Sequence, residues 1–324
     1  MSYIGRRVGV GLGKETTRGT AVSPTYFFPL EDYDYDDKAE VIARTGRRSR
    51  IEESFNGDVV KKWGEGSLSG AVFNSGFGLV LLSALGTDTA TTTSGETAVY
   101  DHTFSVANTN EHQSLTISSD DSVETDKQYA GAVITSLEIK GAPGEYLTYN
   151  AGFMGKSEAS GTITASYATE HPFRPQDITF KYATVFSGLA AASATSIRSF
   201  TFKIEQNVEA NYNLGSITPS NFYNKQYTIT LDLEMLHTAD TFRDLFIAGT
   251  VEALQVSCAN TAITLGVAAN PTVRLDCYQG QLTDWSRTLS NNDLSIENMS
   301  WRLDYDTTNS KSIEVLLRNI ISSY

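Results

Sequence analysis

The sequence predicts a mainly β protein built as two tandem domains, each a β-sandwich or barrel segment flanked by one α-helix, related by internal duplication. Three observations carry this. Apolar residues recur at every second position, as in YTITLDLEM. There Tyr227, Ile229, Leu231, Leu233 and Met235 share one face, while Thr228, Thr230, Asp232 and Glu234 share the other, as in a strand with one side buried. Only two stretches read as helices. Those two stretches also end alike, LLSALGT at 81–87 and DLFIAGT at 244–250, at an offset of 163 residues.

Residues 1–25 hold Gly and Thr without sustained periodicity and read as an extended N-terminal arm. GRRVGVGLGKETTRGTAVSP (5–24) tests as a phosphate loop and fails. With Gly13-Lys14 as its core, the Walker spacing needs Gly at position 8 and a hydroxyl at 15, where Val8 and Glu15 stand. The glycines instead suit a flexible arm and a subunit contact, with Lys14 and Arg18 as its contacts. On this reading, removing residues 1–20 leaves a folded protein that assembles poorly.

The first domain spans 26–160. DYDYDD (32–37) places Asp on one strand face and Tyr33 and Tyr35 on the other. A calcium-loop reading fails, because Asp37 stands where the turn glycine belongs and Ala43 where a bidentate Glu belongs. Residues 38–58 form a long charged loop bearing Arg44, Arg47, Arg48 and Arg50, and loops of that length are usually functional or disordered. FNSGFGLVLLSALG (73–86) is the first helix. Residues 161–195 read as a linker, with an Ala/Ser-rich run at SGLAAASATS, and the second domain spans 196–324. Its helix covers 238–249, with Thr238 as cap and Gly249 closing the end.

The offset of 163 lays EGSLSGA (65–71) over TITLDLE (228–234), with Leu68 on Leu231. DYDYDD falls near FTFKIE (200–205), QSLTISSDD near AITLGVAAN, and the 132–153 hairpin near 292–317.

The chain carries 40% hydrophobic residues, enough for a core, and a net charge of −13. That balance argues against a surface that grips nucleic acid, which needs excess Lys and Arg. Cys258 and Cys277 form no C-x-x-C pair and no Cys/His cluster, so free thiols are expected and no zinc. No segment approaches the ~20 apolar residues of a membrane span, and MSYIG opens without the apolar stretch of a signal peptide. The four histidines lie scattered, with no nucleophile elbow nearby. No enzyme activity, cofactor or metal is expected.

The opening GLGKETTRGTAVSPTYFFP, the charged loop and W-x-E-G-x-L-S-G before the first helix together resemble the tail tube (major tail) proteins of long-tailed bacteriophages, siphophage type. So does FKIEQNVEANYNLGSITPSNFYNKQYTITLDLEML before a helix ending in DLFIAGT. The distal tail protein and the tail terminator share the domain and remain alternatives, as does a β-sandwich binding module such as a tail-tip adhesin. Trp63, Trp285 and Trp301 in patterned strands favour packing over sugar stacking. The resemblance implies two tail-tube domains whose sheets join between subunits into a closed barrel. Rings of three chains with pseudo-sixfold symmetry, or of six, stack into a tube through which DNA passes without specific binding. It further implies tape measure and terminator partners, a place in the virion tail, and assembly in the host cytoplasm. Lumen candidates are the polar strand faces before each helix, Glu65, Ser67, Thr228, Thr230, Asp232 and Glu234, with Asp34 and Asp36 behind them. The competing reading sets these carboxylates against bulk solvent. Lys14, Arg18, Arg44, Arg47, Arg48 and Arg50 are candidates for contacts between rings.

Overall fold

The computed structural model describes residues 5–121, 123–289 and 291–324. Among these, seventeen strands and two α-helices follow one another. The first half holds β1 (Val8–Lys14), β2 (Tyr26–Phe28), β3 (Asp32–Thr45), β4 (Ser54–Ala71), α1 (Phe77–Leu85), β5 (Gly86–Thr92), β6 (Tyr100–Val106), β7 (Leu115–Asp121), β8 (Lys127–Gly141), β9 (Thr148–Gly155) and β10 (Ala159–Ser160). The second holds β11 (Ile178–Ala183), β12 (Ser199–Asn211), β13 (Asn221–Leu236), α2 (Thr241–Ala248), β14 (Val251–Ala259), β15 (Thr272–Thr288), β16 (Ile296–Leu303) and β17 (Ile313–Asn319).

Strand pairing builds one continuous antiparallel sheet of eight strands in the order β3-β4-β9-β8-β12-β13-β16-β15. The two halves meet in its middle, where β8 pairs with β12 from Phe200↔Gly141 to Glu205↔Ser136. Other strands pack behind it. β1 pairs with β2 and β7, and β7 with the start of β8. On the other side, β11-β14-β15-β17-β6-β5 runs as a second chain of pairings, so β6 of the first half joins β17 of the second. Val10, Leu12, Leu68, Leu137, Ile204, Leu231 and Trp301 all belong to one buried cluster. The two predicted domains therefore share a single core.

The glycine-rich stretch is a strand and not an arm. In VGVGLGK, Val10 and Leu12 point into the core, at 3% and 0% exposure. The glycines face the other way, where chain lies directly on them. A Cβ on Gly11 would stand 2.8 Å from Pro24 and 2.9 Å from the Phe27 ring, and one on Gly13 2.6 Å from the Ser23 carbonyl. Glu15 closes the strand. Its buried carboxylate accepts from Ser114 Oγ (2.7 Å), Gly19 N–H (2.7 Å), Thr116 Oγ1 (2.9 Å) and Gly131 N–H (2.7 Å), tying the turn to β7 and β8.

Three more expectations change. Residues 38–58 are a β-hairpin, with β3 and β4 paired from Asp32↔Ser69 to Thr45↔Ser54 around an eight-residue tip, 46–53. Both of its faces are solvated, and its apolar residues, Val41, Ile42, Phe55 and Val59 among them, are exposed on both, so no single apolar face marks it as a strand. The predicted linker contains β11, with Phe180 fully buried. It also seals the start of α1: Phe173 is fully buried, and the His171 carbonyl accepts from Asn74 N–H. The helices are shorter than read. Thr238 lies outside α2, which begins after Asp240 without a side-chain cap, while Gly249 does end it in the left-handed region, φ 63°.

The strand correspondences between the two halves also differ from those expected. Tyr33 sits across from Leu68 and Phe202 across from Leu231, so Tyr33 matches Phe202 and DYDYDD is moved by one residue. β7 is a buried strand, whereas 262–270 is a turn closed by the Leu265↔Ala269 bridge. The β8–β9 hairpin finds its positional match in β15–β16, not in 292–317, because β9 and β16 each flank the second strand of a long hairpin, β4 and β13.

Glu170 carries a pH prediction. One carboxylate oxygen accepts the Gly76 N–H at 2.8 Å ahead of α1, while the other is buried without a partner. Burial raises its pKa, opposed by that one backbone bond. A raised folded-state pKa favours the fold below the ordinary carboxylate range and penalises it as pH rises through the folded value. Glu170→Gln is expected to raise the melting temperature at pH 7 and to leave it unchanged near pH 4, measured by thermal denaturation at both.

Candidate functional site

The eight-strand sheet has one apolar and one polar face, and register sorts them strand by strand. On the core side, Tyr33, Leu68, Ala151, Leu137, Ile204 and Ile229 stand in one row across six strands. Ile139, Phe202, Leu231, Trp301 and Leu282 form the next. The opposite face carries polar rows. Asp34, Ser67, Gly152, Ser136, Glu205 and Thr228 make one. Glu138, Lys203, Thr230, Arg302 and Gln281 make the second, and Lys140, Thr201, Asp232, Ser300 and Asp284 the third. Glu65 lies across from Asp36, and Glu234 between Ser199 and Asn298.

All six predicted lumen residues, Glu65, Ser67, Thr228, Thr230, Asp232 and Glu234, thus lie on one face of one sheet, together with Asp34 and Asp36. On the isolated chain Asp34, Asp36 and Thr228 are exposed and the other five are half-buried. Several carboxylates are partly balanced. Lys38 lies 2.7 Å from Asp36 and 3.5 Å from Glu65, Lys203 2.9 Å from Glu138, and Arg198 3.2 Å from Glu234. Asp232 accepts from Ser300 Oγ at 2.5 Å. The two lysines beside Glu138 hold its carboxyl below the ordinary range against the opposing cost of burial. Glu138, Lys140, Lys203, Glu205 and Arg302 also belong to this face, although sequence reasoning does not single them out. Their signal is present in LEIK and FKIE, where each polar position falls in phase with its neighbours.

The sheet ends in two bare edges. β3 has β4 on one side and no strand on the other among the described residues. β15 loses β14 after Gln281, so from Leu282 to Thr288 β16 is its only strand neighbour among the described residues. Such edges are ready-made sites for pairing with another chain. Strand direction alternates along the sheet, so β15 would meet β3 of a second copy antiparallel, as β8 meets β12.

The predicted contact residues divide. Arg18 is spent inside the chain: its guanidinium donates to Asn221 Oδ1 and to the His112 and Phe222 carbonyls, fastening the turn after β1 to the start of β13. It is not free for a ring contact. Lys14 donates to the Tyr324 carbonyl at 2.6 Å while staying exposed. Arg44, Arg47, Arg48 and Arg50 all belong to the exposed end of the β3–β4 hairpin. There Arg44 makes a two-pronged ion pair with Asp58 at 2.7 Å, and Arg48 lies 3.1 Å over the Phe55 ring.

Trp301 is fully buried, and Trp285 and Trp63 are half-buried, each indole donating to a Glu at 3.1 Å. Cys258 and Cys277 are free and buried in the core. Burial pushes the Cys258 thiol up to about 12, so it is a packing group rather than a nucleophile. No group of three or more His, Cys, Asp or Glu fit to hold a metal occurs among the described residues, and no described helix is long and apolar enough to cross a membrane.

The chain has no match among curated proteins. The sequence pattern of phage tail tube proteins, however, matches residues 5–297, which takes in β1 to β15, with both long hairpins and both helices, and stops at the start of β16. The chain belongs to the phage tail tube protein family, and is a mainly β structural component of the virion tail.

Proposed function

We propose that copies of this chain join head to tail into closed rings, that the rings stack into the tail tube, and that the polar sheet face lines the channel through which the genome passes. The observation that carries this is the eight-strand sheet with one polar face and two unpaired edges, already joined at its middle by the pairing a ring would repeat. Closure removes both edges, which an isolated chain leaves open.

The middle joint also supports internal duplication. β3-β4-β9-β8 and β12-β13-β16-β15 are four-strand units of the same order, each with its helix directly after the second strand of a long hairpin. A ring of three is then pseudo-sixfold. Three copies of eight strands give a 24-stranded barrel of about 48 Å across its backbone, at ~4.8 Å per strand and a tilt of ~40°. Barrels of ~16–18 strands already leave an aqueous channel, so three chains suffice for a duplex and six would give about twice the width.

The acidic face suits passage: fixed carboxylates repel phosphate, whereas clustered lysines would hold it. Lys14 and the Arg44–Arg50 tip serve contacts between copies. Tape measure and terminator proteins are its partners in the tail, and assembly takes place in the host cytoplasm. Negative-stain microscopy of the purified protein at high concentration tests the reading. Hollow tubes or rings are expected; a chain that stays monomeric, with or without an assembly initiator, would contradict it.

A further inference from the structure

The two long hairpins, β3–β4 and β12–β13, project from the same end of the sheet, because β3 and β12 run in the same direction. Their tips, GRRSRIEE at 46–53 and YNLGSITPS at 212–220, share a skeleton. The fourth residue of each is left-handed, Ser49 at φ 56° and Gly215 at φ 91°, and an isoleucine follows two residues on, Ile51 and Ile217. A non-glycine residue with positive φ is uncommon, so the match is one of backbone shape as well as of position.

The second tip does not stand free. The Ile217 carbonyl accepts the Lys62 N–H at 2.7 Å, on the part of β4 that extends past β9. Beside it, Lys61 pairs with Glu40 at 2.6 Å and lies 5.5 Å from the Tyr212 ring. The first tip has no such seat among the described residues: Ile51 is fully exposed. The counterpart of that seat exists on β13. Counting from Leu68 and Leu231, Lys225 takes the place of Lys62, and Lys225 pairs with Glu209 at 2.7 Å across the hairpin, as Lys61 pairs with Glu40. β16 reaches only to Thr230, so this part of β13 also extends past its neighbour, with Lys225 in the bulge of the β12–β13 ladder and free of β16. Glu111 stands beside it, accepting from Asn221, and the Asn110 carbonyl accepts the Asn224 N–H.

We infer that the tip of the β3–β4 hairpin of a second copy seats on the β12–β13 hairpin of the first, at Lys225, in the manner in which the chain's own second tip seats at Lys62. The charges agree: Arg47 and Arg50, which have no ion-pair partner among the described residues, come to a ledge carrying Glu209 and Glu111. This seat rests on the ring reading above and sharpens it, placing the arginine tip against the neighbour within a ring rather than against the ring below.

The test is a cysteine pair, Ile51→Cys with Lys225→Cys, oxidised after assembly and run on a non-reducing gel. The in-chain pair Ile217→Cys with Lys62→Cys serves as control, and both native thiols are buried and silent. A ladder of covalently joined chains is expected, since a disulfide needs Cα atoms within ~7 Å. Tubes that form, with the control pair closed and no ladder, would overturn the inference and leave the tube reading standing. Absence of any tube or ring from the unmodified protein would sink both. Ile51→Asp alone is expected to raise the concentration needed for assembly at least tenfold with an unchanged melting temperature; assembly like the unmodified chain's would count against the seat.

Discussion

A chain lacking residues 1–20 is expected to fail to fold, with no cooperative thermal transition and recovery only as insoluble protein. The cause is that β1 is a core strand. Its removal strips Val10 and Leu12 from the interior, each contributing about 1.5–3 kcal/mol on burial. It also removes the carboxylate of Glu15, leaving Ser114, Thr116 and the Gly131 N–H without their acceptor. Each such orphaned donor costs about 1–3 kcal/mol. Arg18 goes with it, and the start of β13 loses its fastening to the first half. Together these losses approach or exceed the ~5–15 kcal/mol by which a domain is stable. A soluble, cooperatively melting truncation, followed by circular dichroism, would show instead that the segment acts only in assembly.

The second large effect concerns the polar face. Asp34→Lys combined with Glu205→Lys alters two exposed residues of one polar row, neither in an ion pair among the described residues. Surface exchanges of this kind usually stay within about 0.5 kcal/mol in stability, so folding and tube formation are expected to be unchanged. A ring of three would however gain six lysines in its channel. Assembled tubes should then retain duplex DNA at low salt, with log K falling by about 0.9 per log unit of salt for each lysine–phosphate contact. Phage carrying the variant should lose plaque-forming titre through slowed ejection. Tubes of the double variant that ignore DNA at low salt would place this face on the outside.

Much of this face is legible in the sequence because a period of two is a local signal. YTITLDLEM and SFTFKIE show directly which side is polar. The rows themselves depend on register between strands far apart in the chain, which no local pattern contains. The misread segments have physical reasons too. β1 alternates glycine with apolar residues, and glycine adds nothing to an apolar face, so a buried strand looks like an arm. The outer part of the β3–β4 hairpin is solvated on both sides, and its apolar residues Val41, Ile42, Phe55 and Val59 are exposed and fall on both faces, so no period of two stands out and it reads as loop. β11 is a six-residue strand among loop composition, recognisable only through Phe180 and its pairing with β14. The helix ends are the most visible of all, because Gly86 and Gly249 close both in the left-handed region.

An electron cryomicroscopy reconstruction of assembled tubes, at a resolution that separates strands, decides whether the sheet closes between copies. The expected map shows three chains per ring forming a continuous 24-stranded barrel, eight strands from each chain. In it β15 pairs antiparallel with β3 of the next copy along Leu282–Thr288, and Glu65, Glu205, Thr228 and Asp232 face the channel. A barrel whose polar rows face outward, or a ring in which the β3 and β15 edges remain unpaired, would contradict it.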